Sequence, residues 1–160
     1  MSKSFEQSYI GRLRKFVGSE KLIIAGVRAV IQDKDKKILL IHRKDTKRWG
    51  MPAGSVELGE SAMDALKREV KEETGLNVKT AIPFALYSDP KYSVTYPNGD
   101  QTQIFAIVFL VDNWTGELIQ ENDESLACNF FSLDDLPDTH EVYLETIDDL
   151  KNYNGCFIIK

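Results

Sequence analysis

A chain of 160 residues is long enough for one domain with a substantial core and too short for two ordinary ones. Its 20 basic and 25 acidic side chains leave a formal charge of −5, which argues against a broad nucleic-acid-binding surface. No run approaches the ~18 consecutive apolar residues of a spanning helix. The start lacks the apolar core and small-residue cleavage site of a secretory signal, so the expectation is a cytoplasmic protein with no membrane partner.

In the first 20 residues Phe5, Tyr9, Leu13 and Phe16 recur at helical spacing beside Arg12, Arg14 and Lys15. This predicts an amphipathic N-terminal extension (1–20) packed on the main domain (21–160). A share in a homodimer surface is the competing use of its apolar face. Leu22–Ile31 is apolar and branched, as in a buried strand; Asp33–Lys36 reads as a turn, and Lys37–His42 as the next strand. The charged loop Arg43–Arg48 leads into Trp49-Gly50-Met51-Pro52.

After a glycine-bearing loop with Glu57 and Glu60, the chain runs into a helical segment holding Glu69, Glu72 and Glu73 within little more than one turn. At 100° per residue these carboxylates span roughly 100° of the helix surface. They continue the apolar stripe of Ala62, Ala65 and Leu66, while Asp64, Lys67 and Lys71 mark the solvent face. Carboxylates beside a core-facing stripe need a partner, because burying an unpaired charge is costly. A divalent cation would serve; a structural salt-bridge cluster drawing on Arg68 is the alternative that spacing leaves open.

Further on, Val78–Tyr87 reads as extended, and residues 89–100, with Asn98-Gly99-Asp100, as a hairpin or binding loop. Thr102–Val111 is a strand rich in Ile, Phe and Val. Phe130-Phe131 reads as a short buried segment, Glu141–Leu150 as the last helix, and the apolar tail from Tyr153 to Ile159 as a final strand or sheet cover. Alternation of strands and helices favours an α/β domain with a mixed sheet between helices, whose strand order the pattern does not yield. Cys128 and Cys156 lack metal-site spacing, and Cys128 reads as core filler.

The stretch from Gly54 to Leu76 resembles the complete box of the Nudix hydrolase family. Gly54 is followed after five residues by Glu60, then after seven by Arg68-Glu69-Val70-Lys71-Glu72-Glu73-Thr74-Gly75-Leu76. Pro52-Ala53-Gly54 is similar to the family's Pro-Gly-Gly entrance, Trp49 sits where its members often carry tryptophan, and Phe130 to Pro137 resembles their late aromatic–leucine–proline segment. The resemblance implies a three-layer α/β/α sandwich that binds Mg²⁺ or Mn²⁺. It also implies hydrolysis of pyrophosphate linkages in nucleoside diphosphate derivatives, a nucleotide sugar such as ADP-ribose or a nucleoside triphosphate. A catalytically inactive nucleotide-sensing or interaction domain of the same fold is the alternative. Carried over by position, the metal ligands are Glu69, Glu72, Glu73 and the carbonyl of Ala53. Arg68 orients Glu60 or Glu69, and Glu72 or the downstream acid Glu124 (with Glu121 as its rival) acts as base. Alanine at 53 departs from the family's glycine and would strain a backbone requiring positive φ. Glu57 reads as a peripheral acid.

Substrate contacts are expected outside the box: Arg43 and Arg48, with Lys44 and Lys47, for phosphate, and Trp49 and Tyr96, with Tyr87 and Tyr92, for stacking on a base. The expected partner is a nucleotide-derived small molecule; nucleic acid is disfavoured, and a homodimer is expected from the N-terminal segment and the family. His42 and His140 read as structural or exposed.

Overall fold

The computed structural model describes residues 5–96, 98–122 and 125–160. A 3-10 turn (Phe5–Gln7) leads into α1 (Tyr9–Val17), which starts where the Ser8 hydroxyl accepts the Gly11 amide at 3.0 Å. Then come β1 (Leu22–Ile31), β2 (Ile38–Arg43), the short β3 (Trp49–Gly50) and β4 (Ala53–Ser55), α2 (Ala62–Thr74), and β5 (Asn77–Tyr87). A second 3-10 turn (Pro90–Tyr92) precedes β6 (Ser93–Thr95); β7 (Gln101–Thr115), β8 (Ser125–Phe131), α3 (Glu141–Lys151) and β9 (Ile158–Ile159) complete the order.

Among the described residues the main sheet has the order β4-β1-β7-β5-β9, with β6 pairing the start of β7. The β1–β7 and β5–β9 pairs are parallel and the others antiparallel, so the sheet is mixed. A second sheet has the order β3-β2-β8. β7 outruns its expected end at Val111 because the β5 register carries pairing on to Asn77 opposite Thr115. Phe130 and Phe131 close a full strand against β2 rather than forming an isolated segment, and both are half-buried.

Period-two alternation sends β1 side chains to opposite faces. Val27, Ala29 and Ile31 join Leu39, Ile41, Phe109 and Val111 in packing on Ala65, Leu66 and Val70 of α2. Val30 joins Ile38, Leu40, Phe84 and Val108 around Ile147 of α3. The mixed sheet therefore lies between helices, in three layers. Leu66 is 1% exposed; truncating such a residue to alanine costs about 2–5 kcal/mol.

α1 packs inward through buried Ile10, while Arg14 donates to the carbonyls of Gly18, Glu20 and Gln101. The expected stripe is not the packed face, since Phe5 is 61% and Phe16 88% exposed. No helix among the described residues is long and apolar enough to cross a membrane.

Candidate active site

The phase of α2 is set at its ends. Ser61 and Asp64 form a reciprocal capping box, and Gly75 ends the helix at φ 80°, a left-handed conformation that glycine adopts without a Cβ penalty. With that phase, Ala65, Leu66 and Val70 face the core and the glutamates ride its margin. Glu73 is 2% exposed, and Glu69 and Glu72 are half-buried.

Arg68 is the hub of the cluster. Its Nε and Nη2 donate to the two Glu60 oxygens at 2.7 and 3.0 Å, a bidentate pair. Nη1 donates to Glu69 at 2.8 Å and Glu72 at 3.3 Å, and Nη2 also reaches the Ser55 carbonyl at 3.0 Å. One guanidinium thus ties the loop before α2 to two carboxylates on it. The Glu60 hydrogen bonds hold the Arg68 pKa above the ordinary arginine value, against the opposing effect of burial.

Glu73 takes another route. Its Oε2 accepts the Ala53 amide at 2.9 Å, and Oε1 lies 3.6 Å from Arg43, which also pairs with Asp45. Burial pulls the Arg43 pKa down, but its hydrogen bonds to Asp45 and the neighbouring charges outweigh this and raise it. Positive φ among the described non-glycine residues occurs only at Lys36 and Lys47, so Ala53 stands in β4 without the strain that its departure from glycine would threaten. Gly54 is different: an added Cβ would meet the Glu69 carboxylate carbon at 2.0 Å. The bare backbone there is a cradle for that carboxylate.

As donors, these side chains suit a hard divalent cation, being carboxylate oxygens on one helix face beside a loop carbonyl. As they stand, no three acidic, histidine or cysteine side chains among the described residues converge as a metal group. In this arrangement Arg68 holds Glu69 and Glu72, while Glu73 accepts from the Ala53 amide and lies beside Arg43.

The cluster opens on a cavity of about 1230 Å³ lined by Gly54, Glu69, Glu72 and Glu73 at one part and by Arg14, Ile24 and Tyr96 at another. Arg43 and Tyr96, expected as substrate residues, line it. Trp49 and Arg48 are not among its lining residues. Trp49 stacks on His42 at 5.0 Å and meets Phe131 edge-on at 4.7 Å, so its ring is engaged in packing. Arg48 is drawn away by Asp138 and the Thr139 carbonyl. Tyr87 and Tyr92, expected as stacking surfaces, also line the cavity, though little of either is exposed. Glu124 lies outside the described residues. Its rival Glu121 is largely exposed and pairs with Lys44 at 3.3 Å. Glu57 accepts the Tyr9 amide at 2.9 and 3.1 Å, which ties the box loop to the start of α1.

Three participants escape a reading of motifs. Asn122 donates to the Glu73 and Glu72 carbonyls at 2.9 and 3.4 Å, holding the segment before β8 against the end of α2. Tyr143 packs so closely on Gly50 that a Cβ there would meet its ring at 2.6 Å. Arg28 lines the cavity from β1 at 6% exposure. A lone charge inside an apolar strand was the one signal the chain offered for it.

The profile described as NUDIX domain matches residues 23–150. The chain is 41% identical over 110 residues to an ADP-ribose pyrophosphatase of Methanocaldococcus jannaschii, covering 67% of this chain and 61% of that protein. It is 39% identical over 67 residues to a putative 8-oxo-dGTP diphosphatase of Bacillus subtilis, covering 42% of this chain and 45% of the other. These matches thus span less than two thirds of either relative. The crystal structure of a MutT NUDIX hydrolase from Burkholderia pseudomallei aligns with TM-score 0.67 and 29% identity, over 79% of this chain and 97% of that one. With its spaced glutamates gathered beside Arg68 and Gly54 at one cavity, and a profile match running from β1 to α3, this chain belongs to the NUDIX domain family.

Proposed function

We propose that this protein hydrolyses the pyrophosphate linkage of nucleoside diphosphate derivatives with the help of Mg²⁺ or Mn²⁺, and that ADP-ribose is its first candidate substrate. One observation carries the reading: Glu69, Glu72 and Glu73 line the same cavity as the Ala53–Gly54 loop and Arg43. That is the donor set a polyanionic substrate and a hard cation require together. The name of the Methanocaldococcus relative supports ADP-ribose, and that of the Bacillus relative keeps oxidised nucleoside triphosphates in the panel.

Glu69, Glu72, Glu73 and the Ala53 carbonyl would hold the ion. When bound, it supplies Lewis acidity toward phosphoryl oxygens and water. Arg68 keeps Glu60, Glu69 and Glu72 in fixed orientation through its five-bond fork, a positioning role. Glu73 steadies the loop by accepting the Ala53 amide. Arg43 would meet phosphoryl oxygens and Tyr96 would border the base, a reading supported by both lining the cavity. Glu72 and Glu124 are the acids proposed to take the proton from the attacking water.

The test is a panel of ADP-ribose, other nucleotide sugars, canonical and oxidised triphosphates, and dinucleoside polyphosphates, each with Mg²⁺ or Mn²⁺ and beside Glu73→Gln. Metal-dependent cleavage lost in the variant supports the reading. Nucleotide binding without turnover by the wild type would replace it with a sensing domain.

A further inference from the structure

Arg28 is the one charged residue in the strand Leu22–Ile31. Its Nη1 donates to Thr146 Oγ1 at 2.5 Å and to the Val142 carbonyl at 3.3 Å. The guanidinium sits over two rings, 4.8 Å from the Tyr143 centroid and 5.5 Å from that of Tyr87. Its Nε is buried with no hydrogen-bond partner among the described residues.

What it lacks is a direct countercharge, for among the described residues no carboxylate forms an ion pair with it. The nearby acids of α3 are engaged elsewhere. Glu145 takes Lys91 at 3.1 Å, Lys160 at 3.2 Å and the Tyr92 hydroxyl at 3.1 Å. Asp149 takes Lys160 at 2.7 Å and the Tyr87 hydroxyl. Two carboxylates face two ammonium groups, so neither pairs directly with Arg28, on which Glu145 acts only from beyond ion-pair distance. Burying an unpaired cation is costly, and replacing it by an apolar residue of similar shape would remove that cost. Desolvation holds its pKa below the ordinary arginine value. The group nevertheless lines the cavity together with Tyr143, Arg43 and Glu73.

We infer that Arg28 binds a non-bridging phosphoryl oxygen of the substrate from the α3 side of the cavity, while α2 supplies the carboxylates. The inference rests on the diphosphate reading above. It assigns to a strand residue the phosphate contact that sequence assigned to Arg48. The substrate anion then supplies the direct countercharge, and a charged hydrogen bond to a group this buried is strong.

The experiment titrates α,β-methylene-ADP, a non-cleavable diphosphate, into the wild type, Arg28→Met and Arg28→Lys in the presence of Mg²⁺, and records each melting curve. Arg28→Met keeps the apolar stem between the tyrosines and removes the charge. It should weaken binding by about tenfold or more, flatten the salt dependence, and leave the unliganded melting temperature at or near the wild-type value. Arginine-labelled NMR gives a second readout, independent of how well the methionine variant folds. The Arg28 Nε–H signal, identified by its absence in Arg28→Lys, should shift on adding the same probe. Binding by Arg28→Met within twofold of the wild type, or an Arg28 signal unmoved at saturation, overturns the inference; wild-type turnover of the panel would still leave the hydrolase reading intact. A wild type that neither binds the probe nor cleaves any diphosphate overturns both.

Discussion

The Glu69 carboxylate lies against the bare backbone of Gly54, where a Cβ would come within 2.0 Å of it. A helix side chain and a β4 position 15 residues apart in sequence thus share one small volume. The atoms that would be displaced are the far end of a flexible side chain, so the fold can survive the insult while the site cannot. Gly54→Ala should lower kcat by about 100-fold through misplacing Glu69. It should cost about 1–3 kcal/mol of stability as an overpacked contact. Steady-state kinetics beside denaturant unfolding reads both; a folded variant with near-normal kcat would show that the carboxylate's resting place is immaterial.

Arg68 makes contacts to Glu60, Glu69, Glu72 and the Ser55 carbonyl that no single ammonium can reproduce. Arg68→Lys keeps the charge and loses the fork. Apparent metal affinity or activity should fall about 10–100-fold, as for other groups that orient metal ligands. A metal titration of activity measures it, and an unchanged titration would relegate Arg68 to solvation of the acidic face.

Glu57 is the clasp between the box loop and α1. Both its oxygens accept the Tyr9 amide, an orphan donor at a helix start where negative charge is favoured. Glu57→Ala should cost about 0.5–2 kcal/mol and speed hydrogen exchange at residues 9–12. Exchange unaltered there would mean that Ile10 packing and the Arg14 contacts hold the helix without Glu57.

Cys128 is buried in the α2-facing core, and desolvation, aided by the charge of Glu73, pushes its thiol from 9.0 up to about 12. A raised pKa favours the protonated thiol in the folded state. Its stabilising contribution is therefore complete below pH 9.0 and lost as pH rises through about 12. Cys128→Val should remove that alkaline slope from unfolding curves. At pH 8 a thiol reagent should label exposed Cys156 and spare Cys128 until the protein is denatured. Fast labelling of both in native protein would contradict the buried placement.

The elements that local pattern can specify were legible in the chain. Leu22–Ile31 runs as a strand from end to end, and α2 buries the face that its apolar period marks, with Glu73 on it. The capping pair Ser61–Asp64 and the glycine at 75 bound that helix by chemistry written within a few residues. Trp49 illustrates the opposite case. Its aromatic face suits a nucleotide base or a neighbouring ring equally well, and only the fold brings His42 and Phe131 to it. Arg48 likewise carries a charge fit for phosphate, but the chain returns near Asp138 and claims it.

By itself, then, the sequence determined the family, the helix that bears the carboxylates and the face on which they stand. These depend on spacing along one segment, which a helical period translates directly into geometry. Tertiary structure alone decided that Arg43 meets Glu73, that Gly54 cradles Glu69, and that Arg28 reaches the cavity without a direct ion pair. Each of these is a meeting of residues distant in sequence, set by the register of β4 on β1 and by the packing of α3 against the sheet. No local pattern encodes such a meeting, because the charge balance at Arg28 depends on side chains more than 50 residues away.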